Sequence, residues 1–435
     1  MSRAISSACS SFSAKWSVTP EVRQWTSPPP SSSAVTISPA LQAAVLDNAA
    51  VTFAKGNTLQ NLRFTGESFE STLSDVRSDE IRSDRQVVDV VRVGVGSSGG
   101  FNFELSYGAH DDWYQAALQA ASWSATVTAA NPTTHSVVDT ASVYTLHRSS
   151  GSYVTDGFTA QRWIKVTGFT TNGSTFFAKI TAVAASDLTI VGLRLTGGVF
   201  LNEAAGASVT ILQGGMIDNG TTLKTLIVEK QFLDLTTVFE SFNGNGVDGF
   251  SLAIADQKKV TGSFSVIGKP AVGASATVGT GTNVATTTQD ITNATAHVRS
   301  FFEGAVSAAG AIGFVDLSVQ VKNNLRARTQ CGTLGPVSEG SGFCEVTGNL
   351  KAYFSTVTLR DKFLNNTKSI AVVQLIDSNL KGYIIELFAL RYSTNKNTAQ
   401  AGNQDVFTDL SFKSFRDASA AAAADQKTIR ITRFA

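Results

Sequence analysis

The fold is decided by residues 59–121, which open with an alternating segment: residues 62–70 read LRFTGESFE. Alternation of apolar and polar residues is the period of a β-strand that has one face in water. A dense mixed-charge segment follows, with the sequence SDVRSDEIRSDR at residues 74–85. The pattern predicts a strand that leads into a charged loop.

The next segments predict a hairpin and a short helix. Residues 86–95 are rich in valine, GSSGG at residues 96–100 predicts a turn, and FNFELSY at residues 101–107 alternates again. Asp111 is placed to cap a helix. One apolar helix face is then expected from Tyr114, Ala117, Leu118 and Ala121.

Composition limits the partners of this chain. Lys and Arg together number 35 against 34 Asp and Glu, so the formal charge is +1. A protein that grips DNA phosphates usually carries a strong basic excess, so tight nucleic-acid binding is not expected. Only 16% of residues are charged, which suits a chain that hides much of its surface in its own core or against copies of itself. No apolar stretch is long enough to predict a membrane helix.

The order of patterns along the chain predicts an all-β protein with short flanking helices, divided into four segments. Residues 1–58 form a Ser/Pro-rich N-terminal arm, and residues 59–130 form the first part of the core. Short strands separated by small turn residues predict an inserted small β domain at residues 131–222. Residues 223–435 return to long strands and form the second part of the core, with a short helix at residues 359–364.

A weak internal repeat is also visible. Residues 100–106 (GFNFELS), 261–266 (TGSFSV) and 347–353 (TGNLKAY) each contain a glycine at the start of an alternating strand. The first and third are each followed by a short amphipathic helix. Two related β-halves would explain this pattern. Glycine-opened strands also occur in many unrelated β-proteins.

Residues for catalysis or metal binding do not cluster in the sequence. The four histidines are dispersed, and His110 beside Asp111 and Asp112 is expected to mark a helix start rather than a metal site. Three cysteines do not make a zinc site or a disulfide framework, and Cys331 and Cys344 are expected to be buried free thiols. No nucleophile elbow or phosphate-binding loop is present. We therefore predict a non-enzymatic chain with no catalytic residue, metal or cofactor.

The charged segment is the candidate interaction site. It carries four carboxylates against three guanidinium groups and no lysine. A solvated loop with weak surface pairs would explain it. A docking loop would also explain it, since arginine pairs bidentately with carboxylates and complementary charges set register. The candidate inter-subunit or inter-ring residues are Asp75, Arg77, Asp79, Glu80, Arg82, Asp84 and Arg85.

Four groups of residues together resemble the tail tube proteins (major tail proteins) of long-tailed bacteriophages. They are SDEIRSDRQ at 78–86; FELSYG at 103–108 with DDW at 111–113; LIVEKQF at 226–232 with FESFNG at 239–244; and VQVKNNLR at 319–326 with VTG at 346–348 and FLNN at 363–366. The resemblance covers residues 59–130 and 223–435. The N-terminal arm and the inserted segment depart from the basic pattern of the family.

The resemblance implies a β-sandwich or barrel protomer whose six copies form a ring, with rings stacked into a hollow tube. It implies homo-oligomer contacts and contacts with other tail proteins (tape measure, terminator and distal tail), and no membrane partner. The protein would be made in the host cytoplasm and reside in the virion tail. DNA would pass through the lumen during ejection, and inward-facing acidic residues would keep phosphates from adhering. The charged segment would be a stacking or inter-subunit element.

Two other functions remain open from the sequence. A carbohydrate-binding or adhesin-type β-protein would use exposed aromatic residues, which Tyr153, Phe158, Trp163 and Phe169 could supply. Their spacing among polar residues favours core packing instead. A β-rich hydrolase fragment would need a carboxylate pair or a nucleophile with a base, and the sequence shows neither.

Overall fold

The computed structural model describes residues 35–42, 58–129, 135–194, 198–206, 208–235, 238–307, 310–398, 405–420 and 425–435. Within these residues the chain forms 26 strands and three short helices. The strands form a sheet of 16 strands, a sheet of eight and a two-stranded ribbon, and every strand pair is antiparallel. The prediction of an all-β fold with short helices is confirmed.

The elements follow one another in this order. The first are β1 (Val35–Gln42), β2 (Gly66–Glu67), β3 (Glu70–Arg77), β4 (Val90–Glu104) and α1 (Asp111–Ala117). Next come β5 (Val127–Thr128), β6 (His135–Thr140), β7 (Val143–Arg148), α2 (Tyr153–Asp156), β8 (Trp163–Thr167), β9 (Thr175–Val183), β10 (Asp187–Gly192), β11 (Glu203–Gly206) and β12 (Thr210–Gln213).

The remaining elements complete the large sheet and the ribbon. They are β13 (Gly215–Asp218), β14 (Thr225–Phe232), β15 (Phe239–Ala255), β16 (Thr261–Gly268), β17 (Val272–Ala274), β18 (Val298–Glu303), β19 (Asp316–Lys322), β20 (Arg326–Arg328), β21 (Ser338–Gly340), β22 (Glu345–Tyr353), α3 (Thr358–Leu364), β23 (Ser369–Ile376), β24 (Gly382–Thr398), β25 (Phe407–Ser414) and β26 (Ile429–Phe434).

The large sheet contains one strand order twice. In the N-terminal unit, neighbouring strands run β1-β14-β15-β16-β4-β3, and in the C-terminal unit they run β18-β23-β24-β25-β22-β19. Helices α1 and α3 follow the equivalent strands β4 and β22. The first and third segments of the sequence repeat are therefore equivalent, whereas the second forms β16 beside β4. Pairing of β15 with β19 joins the two units.

A long strand passes between the layers of each unit. Strands β15 and β24 both have 17 residues, and each changes its partners midway. Strand β15 pairs with β14 and β17 through its first half and with β16 and β19 through its second half. Strand β24 pairs with β23 and β26 through its first half and with β25 through its second half. Such a strand belongs to two layers, and the main hydrophobic core lies between them. Phe101, Phe264 and Tyr392 are among the core side chains, and Trp113 and Tyr114 of α1 close it.

The predicted turn at residues 96–100 is wrong, because β4 continues through it from Val90 to Glu104. Its first half pairs with β3 and its second half with β16. Gly99 has a φ of +126°, and a Cβ atom there would lie 2.1 Å from the carbonyl oxygen of Ser68. The glycines therefore serve close strand packing within a continuous strand, rather than a chain reversal.

The eight-stranded sheet runs β11-β6-β7-β10-β9-β8-β12-β5 and has its own core. Val127 pairs with Gln213, so the chain enters and leaves this sheet at adjacent positions. A further apolar cluster joins the sheet to the C-terminal unit, with Trp163 and Phe177 packed near Ile384 and Phe434. The boundaries of the inserted domain remain a prediction.

Two strands of the large sheet lie in segments that were predicted to be outside the core, residues 1–58 and residues 131–222. Strand β1 lies inside the predicted N-terminal segment, residues 1–58, and pairs with β14. The proline-rich part of that segment lies outside the described residues. Strand β13 lies inside the predicted insertion and pairs with β26 of the large sheet.

Candidate assembly surface

The most exposed described element is a β-hairpin, named here the arm: β3, the loop at residues 78–89 and the first residues of β4, 90–93. Every residue of β3 is exposed, as are residues 90–93 of β4. A hydrogen bond from the Ser78 N–H to the Asp89 carbonyl (2.9 Å) closes the hairpin next to its loop. The arm therefore projects from the sandwich with both faces in solvent.

The arm carries large aliphatic side chains on this exposed surface. Ile81 is 99% exposed, and Leu73, Val76, Val87, Val88, Val90, Val91 and Val93 are each about half exposed or more. Covering one such side chain typically contributes about 1.5–3 kcal/mol, so the surface gains substantially from a partner. An apolar patch of this kind on a projecting hairpin marks an interaction site.

The charged residues of the arm pair largely with one another. The carboxylate of Asp75 accepts hydrogen bonds from Arg92 across the hairpin, with Nε 2.9 Å from Oδ1. Arg82 contacts Asp84 at 3.0 Å, and Arg77 lies 3.7 Å from Asp79. Hydrogen bonds from Arg92 and Arg82 hold the pKa values of Asp75 and Asp84 below their usual range. These exposed pairs shape the arm and contribute little stability.

All seven predicted site residues lie on the arm, although they do not form one loop. Asp75 and Arg77 belong to β3, and the other five, Asp79, Glu80, Arg82, Asp84 and Arg85, lie in the loop. Among the described residues, the side chains of Glu80 and Arg85 form no ion pair, so they are open to a partner.

The aliphatic part of this surface was not predicted, because the valine-rich run was interpreted only as one strand of a hairpin. A signal for exposure was present. The doublet Val90-Val91 places apolar groups on both faces of β4, where a half-buried strand would alternate, and Val87-Val88 is a second doublet in the adjoining loop. Both faces of this strand need a cover, and within the described chain neither has one.

A second surface is the open face, defined as the side of β4, β16, β15, β19, β22 and β25 that points away from the core. Short polar side chains connect neighbouring strands there: Ser251 and Ser263 lie 2.8 Å apart, and Ser411 donates to Asn349 at 2.8 Å. A depression of about 610 Å³ lies over β15, β19, β22 and β25.

Most charges on the open face lie beside an opposite charge, and Lys413, which lies between Thr347 and Arg391, is an exception. Asp316 and Asp409 each lie opposite Lys351 on adjacent strands, and Glu345 lies opposite Lys322. Glu104 pairs with Lys259. The face is therefore polar, with carboxylates and ammonium groups beside one another rather than an acidic lining.

The family model of phage tail tube proteins matches residues 16–414 of the chain. The chain belongs to the phage tail tube protein family. Membership makes this a structural virion protein of the phage tail. A search of curated proteins found no match.

The histidine neighbourhood of this tail tube protein is structural. His110 is the N-cap residue of α1, stacked among Phe101 and Phe103, and its Nε2 lies 2.9 Å from the Arg63 carbonyl oxygen. Burial lowers its pKa to about 4. Asp111 does not cap the helix; it accepts a hydrogen bond from Tyr383 at 2.5 Å and pairs with Arg433.

The thiol prediction is half wrong. Cys344 is partly buried, and burial raises its pKa to about 11, whereas Cys331 is exposed. Both are free thiols, and Cys9 lies outside the described residues. In the described part of the chain, no three His, Cys, Asp or Glu residues are close enough to hold a metal ion. No helix among the described residues has the length and apolar character needed to span a membrane.

The four aromatic residues considered for sugar binding are core residues of the tail tube protein. Tyr153, Phe158, Trp163 and Phe169 are all at most 4% exposed. The Tyr153 hydroxyl also forms a hydrogen bond with His135 Nδ1, and its ring packs edge-to-face on Phe158. The prediction of packing is confirmed, and these residues offer no exposed platform for a carbohydrate.

Proposed function

We propose that copies of this chain assemble into stacked rings, each with six β-sandwich units around a lumen, to form the tail tube through which DNA passes during ejection. The observation that carries the proposal is the arm, which exposes aliphatic groups on both faces. An isolated chain gains nothing from such a surface, while a tube protein can bury it against its neighbours.

The arm is the proposed inter-subunit or inter-ring element. Its aliphatic groups would supply the burial, and its charged groups would set register. Residues Asp75, Arg77, Asp79, Arg82 and Asp84 are engaged within the arm, which keeps it ordered before docking. Glu80 and Arg85 are the charged groups that we expect to meet a neighbour.

The open face is the proposed lining of the lumen. Its short Ser and Asn side chains bond to one another, and Lys322 and Lys351 lie beside carboxylates. Such a surface presents no continuous positive stripe that would hold DNA by its phosphates. Balanced polarity would thus serve the passage of DNA, in place of the acidic lining expected from sequence.

The proposed setting is the virion tail, with the chain made in the host cytoplasm. At the two ends of the tube, the rings would contact the terminator and distal tail proteins, and the lumen would hold the tape measure protein before ejection. These partners follow from the family alone.

The test is negative-stain electron microscopy of purified protein, before and after concentration. The variant Ile81→Asp with Val88→Asp is expected to stay folded and monomeric, because its exposed changes leave the core intact while two carboxylates in the loop oppose burial of the arm. The parent chain is expected to form rings or tubes with a central hole.

A matched control is Val143→Asp with Val154→Asp, which places two charges on exposed valines of the eight-stranded sheet and its helix. The control is expected to assemble like the parent. If the arm variant forms tubes, the arm is not needed for assembly. A parent chain that never assembles would overturn the proposed function.

A further inference from the structure

The chain has two sheet edges that are equivalent to strands already paired inside it. The second half of β24, from residue 391 onward, pairs only with β25 among the described residues. Its counterpart in the N-terminal unit, the second half of β15, pairs with both β16 and β19. Likewise, in the described part of the chain β2 and β3 pair only with β4, while their counterpart β19 pairs with both β22 and β15.

We propose that the free edge of β24 pairs antiparallel with the β2–β3 edge of a second copy of this chain, repeating the internal junction of β15 with β19. Continuing an existing junction gives each copy one donor edge and one acceptor edge. Contacts of this head-to-tail kind generate rings when the rotation closes. They also remove exposed strand edges, which otherwise favour aggregation.

The internal junction supplies a geometric template. Seven consecutive residue pairs join β15 to β19, from Gly249 with Lys322 to Ala255 with Asp316. Leu252 and Val319, which pair across the junction, are both nearly fully buried. The junction is therefore a continuous sheet backed by the core, not a loose contact between units.

The duplication also transfers the register. In the N-terminal unit, the strand ladder places Gly66, Asn102, Ser263 and Ser251 side by side. In the C-terminal unit, the equivalent ladder is Ser318, Asn349, Ser411 and Thr394. The two ladders are aligned on Asn102 and Asn349, because each is the third residue of its segment in the sequence repeat.

Within the chain, Ser251 pairs with Gln320, two residues after Ser318. The equivalent of Ser251 is Thr394. Gly66 is the equivalent of Ser318, and Ser68 lies two residues after Gly66. We therefore expect Thr394 of one copy to lie opposite Ser68 of the next.

The acceptor edge is partly protected in the single chain. The N–H of Phe69 donates to the Glu67 carboxylate at 2.8 Å, and Lys230 donates to the Phe69 carbonyl oxygen at 2.8 Å. Lys230 also pairs with Glu67 at 2.9 Å. These side chains occupy the backbone groups of one edge residue and move aside when strands pair there, which limits pairing to a well-matched partner.

The number of chains in a ring follows from the same duplication, and this step rests on the proposed function. If a ring contains six β-sandwich units, and one chain supplies two of them, then three chains close the ring. The family resemblance implied one unit in each chain and therefore six copies in a ring.

The experiment is site-specific crosslinking of Ser68→Cys with Thr394→Cys, in a background of Cys9→Ser, Cys331→Ser and Cys344→Ser. A short bismaleimide is added to the assembled protein. Seven strand spacings of about 4.8 Å separate the two positions within one chain, so a short crosslink between them joins different chains. The matched control is Ser74→Cys with Thr394→Cys, which moves one thiol by six residues, about 20 Å along the edge.

The expected result is a ladder of crosslinked multimers from the matched pair, loss of that ladder in the shifted pair, and threefold symmetry in averaged ring images. Tubes whose matched pair crosslinks no better than the shifted pair would overturn the edge pairing and leave the tube function standing. Rings of six chains would overturn the proposal that three chains close a ring. A chain that neither assembles nor crosslinks at any concentration would overturn both proposals.

Discussion

At the scale of single residues, Gly249 permits a close approach between β15 and β19, the strands that join the two units. A Cβ atom at this position would lie 2.0 Å from the Val321 carbonyl oxygen. Gly249→Ala is therefore expected to push β15 away from β19 and to lower the free energy of unfolding by about 1–3 kcal/mol, the usual range for overpacked positions. Denaturant unfolding measures the change. Gly313→Ala is the control, because no atom lies within 4 Å of its Cβ position. Equal losses in both variants would contradict the prediction.

Residue types located the charged part of the assembly surface but not its apolar part. The mixture of arginine and carboxylates at residues 75–85 singled out the arm, since such a density of charge has no place in a core. The neighbouring valines resemble core residues in composition. Only the geometry shows that Val91 and Val93 face solvent, because burial depends on which elements pack over a strand.

At the scale of elements, the ribbon of β20 and β21 is held to β15 by a buried acid. Glu339 is 7% exposed, and its Oε1 accepts a hydrogen bond from the Gly246 N–H at 3.2 Å. Burial, with the nearby Asp248 carboxylate, raises the pKa of Glu339 to about 8. The folded chain therefore keeps a proton that the unfolded chain releases near its ordinary pKa of 4.5.

The consequence is a loss of stability as pH rises. Between pH 4.5 and about 8 the folded state binds more protons, so the free energy of unfolding decreases through this window. Glu339→Gln keeps an acceptor for Gly246 and removes the titration. We expect the variant to match the parent near pH 5 and to be more stable near pH 9, as measured by denaturant midpoints. Parallel pH profiles for the two proteins would show that Glu339 does not control this ribbon.

At the scale of the whole molecule, the eight-stranded sheet is joined firmly to the large sheet. Lys179 and Glu386 form a buried ion pair between them, and Trp163 donates to Glu386 at 3.4 Å. Phe177 packs edge-to-face on Phe434, with ring centroids 5.1 Å apart. The chain enters and leaves this sheet at neighbouring residues, Val127 and Gln213, so a short linker could replace it. Its contacts with the large sheet nevertheless make it part of the fold.

Replacing residues 127–213 by a short Gly/Ser linker should therefore expose Phe302, Ile384 and Phe434. We expect the shortened chain to bind a hydrophobic dye and to aggregate, because these groups share an apolar cluster with Trp163 and Phe177 of the eight-stranded sheet. Dye fluorescence and size-exclusion chromatography measure both effects. A shortened chain that stays monodisperse without dye binding would show that the sheet is an independent decoration.

The sequence by itself determined the all-β class, the short helices α1 and α3, the charged arm and the family. These features are encoded locally, in alternation, helical spacing and charge density, which are read from neighbouring residues. It also indicated the repeat, through matching residues at β4 and β22. The tertiary structure alone decided that β4 runs straight through its glycines and that both faces of the arm are exposed. It also decided that the strand order is duplicated, with one edge at each end left unpaired by the residues that the structure describes. Those features depend on which distant strands pair and pack, and pairing between residues far apart in the chain leaves little trace in local sequence.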